Sequence, residues 1–430
     1  MTLARWALAL GRLGASFAGG LARAATRLVS RGGPAIIFLT LATPPLAAQA
    51  PEHTDSAASD SAAPAVQTRV TGYLEHQFST SRSRGRWTQL DYDRLRADLV
   101  ARAGRGVRLE AAAIWQLYRG DTRVRLRDHL PASVAASVDT VSLVIEDRHF
   151  LNHAYLVLSP GGVEITAGKQ YLTWGAAWVF NPTELFRPKD LFEPTYEREG
   201  VGALSARVPL GALSDVLVAY VPDGPFRTSG KVARVRHHVA GFDVSALAAA
   251  VYEQPAGTPR AVPAHRARTS WRRLVFGGDV SGEVLGLGVW AEGTWNDHAG
   301  DQWAEATLGG NYTLPDRTLL LVEGYFNGRG RPGDPYPAAA WLARLAGERR
   351  SLGRFVAYVA ASRPVREVWH LGLGALVNPG DGSTALVPSV SWEFAENVEL
   401  IANGLVSIGS DGTEYGRGGV GGFVRGRVYF

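Results

Sequence analysis

The stretch GGFVRGRVYF, from Gly421 to Phe430, ends the sequence in an alternating pattern. Alternate residues of a β-strand lie on opposite faces. One face of this stretch is apolar and ends in an aromatic ring: Val424, Gly426, Val428 and Phe430. The other face carries two charges and a phenol: Arg425, Arg427 and Tyr429. A strand with lipid on one side and water on the other has this pattern.

The composition fits one large barrel or two to three soluble domains. The 430 residues include 50 glycines, 12 tryptophans and one methionine but no cysteine, so neither a disulfide nor a lipid-attachment site is expected. Five arginines and no acidic residue lie within positions 1–50, which leaves 40 basic against 40 acidic residues in the rest of the chain. Because that remainder is neutral, the net charge of +5 does not support nucleic-acid binding, and no such partner is expected.

The N-terminal segment has the pattern of a secretory signal peptide. Its arginines precede an apolar run from Pro34 to Ala48, and small residues follow, as a signal peptidase site requires. We therefore expect a signal peptide over 1–48, with a cut after Ala48, and a flexible periplasmic lead-in over 49–65. A membrane-anchoring helix is the alternative, although the run is shorter than the ~20 residues that a helical span needs.

Residues 66–430 alternate between apolar and polar residues in stretches of about ten. In the stretch VRLEAAAIWQLY, for example, the apolar face includes Leu109 and Trp115, whereas the opposite face carries Arg108 and Glu110. No apolar run in this region approaches the length of a helical span. The predicted fold class is therefore all-β, a transmembrane antiparallel up-and-down β-barrel.

The connections between these stretches alternate between short and long. Eight tight turns are separated by mostly longer, Gly- and Pro-rich connections near 80–87, 119–147, 171–199, 222–230, 253–270, 297–301, 327–352, 378–383 and 409–417. Brief periplasmic turns and long extracellular loops are typical of outer-membrane barrels. Eight turns and nine loops predict 18 strands, and 16 strands are the alternative.

The last strand resembles the C-terminal signal strand of bacterial outer-membrane barrels, in which Val424, Val428 and the terminal ring of Phe430 would form the assembly signal. This resemblance implies recognition by the barrel-assembly machinery and a position in the outer membrane, surrounded by its lipid. Aromatic residues near the strand ends would form the girdles of such a barrel. A soluble β-sandwich with an aromatic core is the alternative, but such a core would need fewer alanines and glycines on its apolar face.

Charged residues on the predicted inner face are unevenly distributed. Arg94 and Arg96 fall on the second strand, whereas Glu292, Glu305 and Glu323 fall on strands 11 to 13 of the 18. These two sets would face each other across the lumen and line the pore, where they would set up a transverse field that orients dipolar solutes. Simple pairing of the arginines with Glu75 or Asp98 is the alternative.

The segment from Gly168 to Pro194 interrupts the alternation, because its three prolines exclude a paired central strand. Its apolar rings would be unusual at a solvated loop tip, so the segment is predicted to fold into the lumen and narrow it. An outer-rim lid is the alternative. The predicted constriction residues are Trp174, Trp178, Phe180, Arg187, Lys189 and Asp190.

The same segment contains Gly168-Lys169-Gln170, then Trp174-Gly175, then Asn181-Pro182. This series resembles a G-[RK]-Q-x-x-x-W-G…N-P pattern found in porin-like outer-membrane families of Gram-negative bacteria. The resemblance covers 27 residues, with lysine in place of the commoner arginine, and it implies a barrel with a transport or envelope role.

Catalytic and metal sites are not predicted, and neither is a cofactor. The nucleophile-elbow pattern G-x-S-x-G is absent, and His149 and His153 would stand roughly 13 Å apart on a strand. The predicted function is therefore a porin-like channel for passive diffusion of small polar or charged solutes. The alternatives are a barrel that binds or anchors surface polysaccharide and an outer-membrane hydrolase. The sequence leaves the oligomeric state open.

Overall fold

A computed structural model describes residues 66–430 except 84, 105, 136–141, 191, 194–195, 223–225, 227–228, 254–270, 346 and 417–418. The predicted signal peptide (1–48) and lead-in (49–65) lie outside the described residues. The first described strand begins at Val66, the predicted start of the barrel.

The described residues form twenty strands: β1 (Val66–Ser83), β2 (Arg86–Ala103), β3 (Val107–Gly120), β4 (Arg123–Arg125), β5 (Ser142–Val144), β6 (Arg148–Leu158), β7 (Glu164–Gln170), β8 (Val201–Pro209), β9 (Asp215–Val221), β10 (Gly230–Val239), β11 (Phe242–Glu253), β12 (Trp271–Val284), β13 (Leu287–His298), β14 (Asp301–Thr313), β15 (Leu319–Asn327), β16 (Phe355–Val365), β17 (Trp369–Asn378), β18 (Ser383–Ala395), β19 (Val398–Ile408) and β20 (Val420–Tyr429). Two short α-helices, α1 (Ala132–Ala135) and α2 (Ala338–Leu345), lie in long connections. Across the described ranges, no helix has both the length and the apolar character needed to cross a bilayer.

Eighteen of the described strands form one sheet, and β4 and β5 form a separate two-stranded ribbon. Each strand of the large sheet pairs antiparallel with its neighbours along the chain, and β20 pairs with β1 from Tyr73 opposite Tyr429 to Arg82 opposite Val420. The sheet therefore closes on itself. The prediction of an antiparallel up-and-down barrel is confirmed, and 18 strands is the correct count.

The connections at the two rims follow the predicted alternation of short and long, except at three positions. Three connections that were expected to be longer are tight: two residues join β1 to β2, two join β13 to β14, and four join β17 to β18. The turn between β13 and β14 consists of Ala299 (φ 53°) and Gly300 (φ 89°), and positive φ at both positions is the geometry of a two-residue hairpin turn. A turn of this kind has the same glycine-rich composition as a longer loop. The composition of a connection therefore does not predict its length.

The outer face of the barrel is apolar. Large side chains project outward and remain exposed, among them Phe276, Leu308, Val322 and Val424. In a bilayer these side chains would contact acyl chains, and ring closure leaves no strand edge unpaired in the hydrocarbon. This is the architecture of a bacterial outer-membrane barrel, which places the chain in the outer membrane as the sequence predicted.

The C-terminal strand forms the seam of the ring. Val424 and Val428 project outward, and Arg425 and Arg427 project inward. Phe430 and Gly72 exchange backbone hydrogen bonds of 2.9 and 3.0 Å. A Cβ on Gly72 would lie 2.7 Å from the ring of Phe430, so the absence of a side chain there makes room for the terminal ring.

The inner face of the barrel is apolar over one sector, contrary to the simple expectation of a wet lumen. Inward residues of β8 to β12 pack together, and the first turns of the connection between β7 and β8 lie against them: Leu172, Trp174, Ala203, Leu217, Ala219, Val232, Leu247, Ala249, Val251 and Val275. The barrel therefore encloses a hydrophobic core on one side of its lumen.

Candidate functional site

The connection between β7 and β8, residues 171–200 and here called the inner loop, folds into the barrel. Its first apolar side chains fill the sector described above. Trp174 is buried there and packs edge-on against Phe186 at 6.1 Å between ring centroids. Burying such rings at about 1.5–3 kcal/mol each stabilises an inward position that an outer rim could not match.

Glu292, an inward residue of β13, holds the first part of the inner loop. Its Oε2 atom accepts hydrogen bonds from the backbone N–H groups of Ala176 (3.0 Å) and Ala177 (3.2 Å) and from the amide of Asn181 (3.2 Å). Its Oε1 atom accepts from the N–H and the hydroxyl of Thr183, both at 2.7 Å. One buried carboxylate thus satisfies five donors, which offsets the cost of burying its charge.

Gly175 makes this close approach possible. Its φ is +96°, and a Cβ at this position would lie 2.5 Å from Oε2 of Glu292. Any other residue would therefore clash with the carboxylate and strain the backbone. The Trp-Gly pair of the sequence pattern has a direct physical role in this geometry.

Glu323, an inward residue of β15, holds the next part of the loop. Its Oε1 atom accepts from the N–H groups of Val179 (3.0 Å) and Phe180 (2.7 Å), and its Oε2 atom accepts from the N–H of Trp178 (2.6 Å). The indole of Trp290 also donates to Oε2 at 3.0 Å. Three successive backbone N–H groups converge on this carboxylate, as in the anion-binding nests formed by main chains.

Aromatic packing reinforces this second attachment. The fully buried ring of Phe180 stacks on Tyr325 at 4.6 Å between centroids and 3° between planes. Val179 packs in the same cluster against Val356 and Leu376 on β16 and β17. The loop from 176 to 183 is therefore held by both charge and packing.

The middle of the inner loop folds back on itself. The ammonium of Lys189 donates to the carbonyls of Ala177 (2.8 Å) and Trp178 (3.0 Å). Burial lowers the pKa of this lysine, because desolvation disfavours its charged form. Asp190 accepts from the N–H groups of Phe192 (2.8 Å) and Glu193 (3.2 Å), which fixes the next turn.

Glu184 and Arg350 connect the inner loop to a second long connection. Glu184 is almost fully buried and pairs with Arg198, and burial raises the pKa of its carboxyl group above the usual range. Arg350, between β15 and β16, donates to the carbonyl of Glu184 (2.8 Å) and to the carboxylate of Glu305 (2.9 Å). Glu305 thus reaches the inner loop through Arg350.

The last part of the inner loop contacts the opposite side of the lumen, which carries four inward arginines here called the arginine wall: Arg94 and Arg96 of β2, and Arg425 and Arg427 of β20. Glu197 of the loop pairs with Arg94 (3.2 Å) and with Arg96. Glu193 pairs with Arg425, with one N–O distance of 3.1 Å. Since β2 and β13 are the second and eleventh strands of the ring, the loop crosses the lumen from one wall to the other.

The residues predicted to line the pore all face inward, but the inner loop and its neighbours cover them. Glu292, Glu305 and Glu323 are 4%, 9% and 0% exposed. Arg94 and Arg96 contact the loop and also their neighbours on the wall: Arg94 lies 3.7 Å from Glu75, and Arg96 pairs with Asp98 at 2.7 Å. The alternative reading, pairing of the arginines with Glu75 and Asp98, therefore describes contacts that are present, and pore lining by these five residues stays a prediction.

The predicted constriction residues have different environments. Trp174 and Phe180 are buried, whereas Trp178 is 39% exposed and Asp190 is exposed. Arg187 is half-buried, and its carbonyl accepts a hydrogen bond from Arg198 at 3.2 Å.

Sequence reasoning missed several residues that take part in the site: Arg425, Arg427, Glu193 and Glu197. Arg425 and Arg427 were assigned to the water-facing side of β20, and that assignment could have placed them beside Arg94 across β1. No sequence signal identified the acidic end of the loop as their partner.

A cavity of about 460 Å³ lies between the inner loop and the wall formed by β18 to β20, β1 and β2. Hydroxyl side chains line one side of it: Ser79, Ser81, Ser83 and Thr88. Asp190, Phe192 and Glu193 of the inner loop line another side. The described residues include no group of three or more His, Cys, Asp or Glu side chains arranged to hold a metal ion.

No protein-family model matches this sequence, and no curated protein matches it. Solved structures are similar to it. A loop-deletion mutant of OmpT, an outer membrane protein of Vibrio cholerae, has 11% identity, a TM-score of 0.43, and coverage of 85% of this chain and 99% of its own. A mutant of the Rh. blastica porin has 14% identity, a TM-score of 0.43, and coverage of 85% and 100%. Salmonella typhi OmpF in complex with daunomycin has 10% identity, a TM-score of 0.39, and coverage of 84% and 97%.

Proposed function

We propose that this chain is a porin-like outer-membrane channel for passive diffusion of small polar or charged solutes, with a lumen narrowed by the inner loop. The observation that carries this proposal is the path of that loop from Glu292 and Glu323 to the arginine wall. A loop held at both walls leaves a restricted passage beside it rather than a wide bore.

The cavity beside the inner loop supports the same function. It borders the inner loop and the barrel wall, and hydroxyl and charged side chains line it. Such groups replace part of the hydration of a polar solute, which lowers the cost of entering a narrow passage. The resemblance of the Gly168 to Pro194 segment to porin-like families agrees with this role.

Single-channel recording of the refolded protein in a planar bilayer tests the proposal. We expect discrete conductance steps that are smaller than those of a variant lacking residues 176–190. A folded and inserted barrel that gives no steps in either form would overturn the channel function and favour the binding or anchoring of surface polysaccharide, for which the exposed rings of Trp178 and Phe192 would be sugar contacts.

A further inference from the structure

The arginine wall concentrates positive charge on β2 and β20, the two neighbours of β1. Glu75 of β1 lies between Arg94 of β2 and Arg427 of β20 in the strand register. Glu75 binds Arg427 through Nε at 2.8 Å, whereas Arg94 is 3.7 Å away from it. The wall therefore matches Arg427 with a carboxylate of its own but leaves Arg94 with only a distant one.

The inner loop supplies close carboxylates for Arg94 and Arg425, whereas Arg96 also pairs with Asp98 of its own strand. Glu193 binds Arg425 with both of its oxygens, and Glu197 bridges Arg94 and Arg96. The ring of Tyr196 lies between two guanidinium groups, 5.2 Å from that of Arg94 and 4.6 Å from that of Arg425. Bidentate pairing is the contact by which arginine recognises a carboxylate on an organic molecule, and stacking on an aromatic ring holds the guanidinium plane in position.

The two ends of the inner loop differ in what holds them. Residues 176–183 are buried and rest on Glu292, Glu323 and the stack of Phe180 on Tyr325. Glu193 and Glu197 rest mainly on ion pairs with the arginine wall, and their side chains keep 22% and 23% of their surface exposed. Ion pairs that water reaches exchange more readily than buried nests, because solvent and salt screen them.

The cavity gives a solute access to this end of the loop. Glu193 both lines the cavity and contacts Arg425, so a molecule in the cavity lies next to the ion pair. Arg425 itself is only 3% exposed, and Glu193 covers it together with Gln77 and the ring of Tyr196. An incoming carboxylate can take the place of the loop carboxylate without leaving the arginine unpaired.

We propose that the arginine wall is a binding site for small organic carboxylates, and that Glu193 and Glu197 occupy it as an internal competitor until a solute displaces them. The part of this proposal that concerns anion passage rests on the proposed channel function, whereas the part that concerns carboxylate binding does not. A solute with two carboxylates fits best, because Arg425 and the pair Arg94 and Arg96 form two separate subsites. Competition from the loop carboxylates would then set the solute concentration at which anions begin to pass.

The test uses glutarate, a five-carbon dicarboxylate, and the double variant Glu193→Gln/Glu197→Gln in the full-length folded barrel. Isothermal titration calorimetry in detergent is expected to show glutarate binding at least about tenfold tighter to the variant than to the parent, because the competing state is lost. Reversal potentials in a salt gradient are expected to shift towards anion preference in the variant. Heat-modifiable gel mobility confirms folding.

Three controls separate this idea from others. Glu110→Gln removes an inward carboxylate of β3 that pairs with Tyr155 rather than with the inner loop, and should leave glutarate binding as in the parent. Glu193→Asp/Glu197→Asp keeps the charge and should restore weak binding. Arg94→Gln/Arg425→Gln, added to the Glu193→Gln/Glu197→Gln variant, should abolish glutarate binding.

Equal glutarate affinity in parent and double variant would overturn the inference. Glutarate binding without conductance would refute the channel function alone.

Discussion

The Oε1 atom of Glu323 on β15 accepts a hydrogen bond of 2.7 Å from the backbone N–H of Phe180, a residue 143 positions earlier in the chain. A carboxylate on the barrel wall thus serves as the acceptor for main-chain donors of a loop that has no strand partner. A loop rich in proline could not satisfy these donors within itself. The inward path of the inner loop follows from this need as much as from its apolar rings.

Replacing residues 176–190 by a short Gly-Ser linker is expected to leave the barrel folded and to raise its single-channel conductance. The removed segment carries the donors and rings that hold the loop across the lumen, whereas the strand ladder remains complete. Planar-bilayer recording measures the conductance after gel mobility has confirmed folding. Normal insertion without a higher conductance would mean that the loop lies outside the conducting path.

Glu323→Gln is expected to loosen the inner loop without unfolding the barrel. The glutamine amide would place N–H groups against backbone donors, and each donor left unsatisfied costs about 1–3 kcal/mol. Trypsin should then cleave after Lys189 in the variant but not in the parent, whereas the bond from Arg187 to Pro188 resists trypsin in both. Glu110→Gln is the matched control, because Glu110 pairs with Tyr155 and has no partner among the described residues of the inner loop. Equal resistance of both variants to trypsin would contradict the anchoring role.

The triple replacement of Glu292, Glu305 and Glu323 by Gln is expected to reduce cation preference, because three fixed negative charges leave one wall. The structure adds a second effect, since two of these carboxylates hold the inner loop directly. Reversal potential in a salt gradient, compared with that of the 176–190 linker variant, separates the two effects. An unchanged reversal potential would show that these carboxylates do not act on the permeating ions.

Phe180→Ala is expected to release the same loop through packing rather than charge. Truncating a fully buried phenylalanine costs about 3–5 kcal/mol, and here the stack on Tyr325 is lost as well. Trp178→Ala is the control, because that ring is already 39% exposed. Faster tryptic cleavage of the inner loop in the Phe180 variant alone would agree with the structure, and equal rates in both would contradict it.

Much of the fold could be predicted from period-two alternation and the rhythm of the connections. Alternation separates two faces of each strand, and it correctly assigned Arg425 and Arg427 to one face and Val424 and Val428 to the other. What alternation cannot predict is the identity of the group that covers a face. The inward apolar residues of β8 to β12 contact Trp174 rather than lipid, and only the three-dimensional path of the inner loop shows this.

The candidate site was predictable only in part, for a related reason. Glu292 and Glu323 could be placed on a wall opposite Arg94, but their partners are backbone N–H groups, which every residue carries and no sequence pattern marks. The tight turns after β1, β13 and β17 were missed because turn residues and loop residues have the same composition.

Deleting Phe430, or replacing it by Asp, is expected to leave secretion intact but to prevent insertion into the outer membrane. The change removes the terminal ring that packs over Gly72 at the seam and the apolar end of the signal strand. The absence of a heat-modifiable folded form in membrane fractions would show the effect. Tyr429→Phe, which alters an inward side chain, should insert normally. Normal assembly of the Phe430 variants would contradict an assembly signal at this residue.

The ion pair between Arg425 and Glu193 has a consequence for the order of folding events. These residues are 232 positions apart, and the adjoining contact of Arg427 with Glu75 joins positions 352 apart. Contacts of such long range form late, because the entropy of closing the intervening chain must be offset first. β20, which closes the ring against β1, therefore also completes the attachment of the inner loop. Until β20 is in place, Glu193 lacks its ion pair with Arg425, although Tyr196 and Glu197 can already contact β1 and β2. Protease resistance at Glu193 would therefore date the closing of the barrel during assembly.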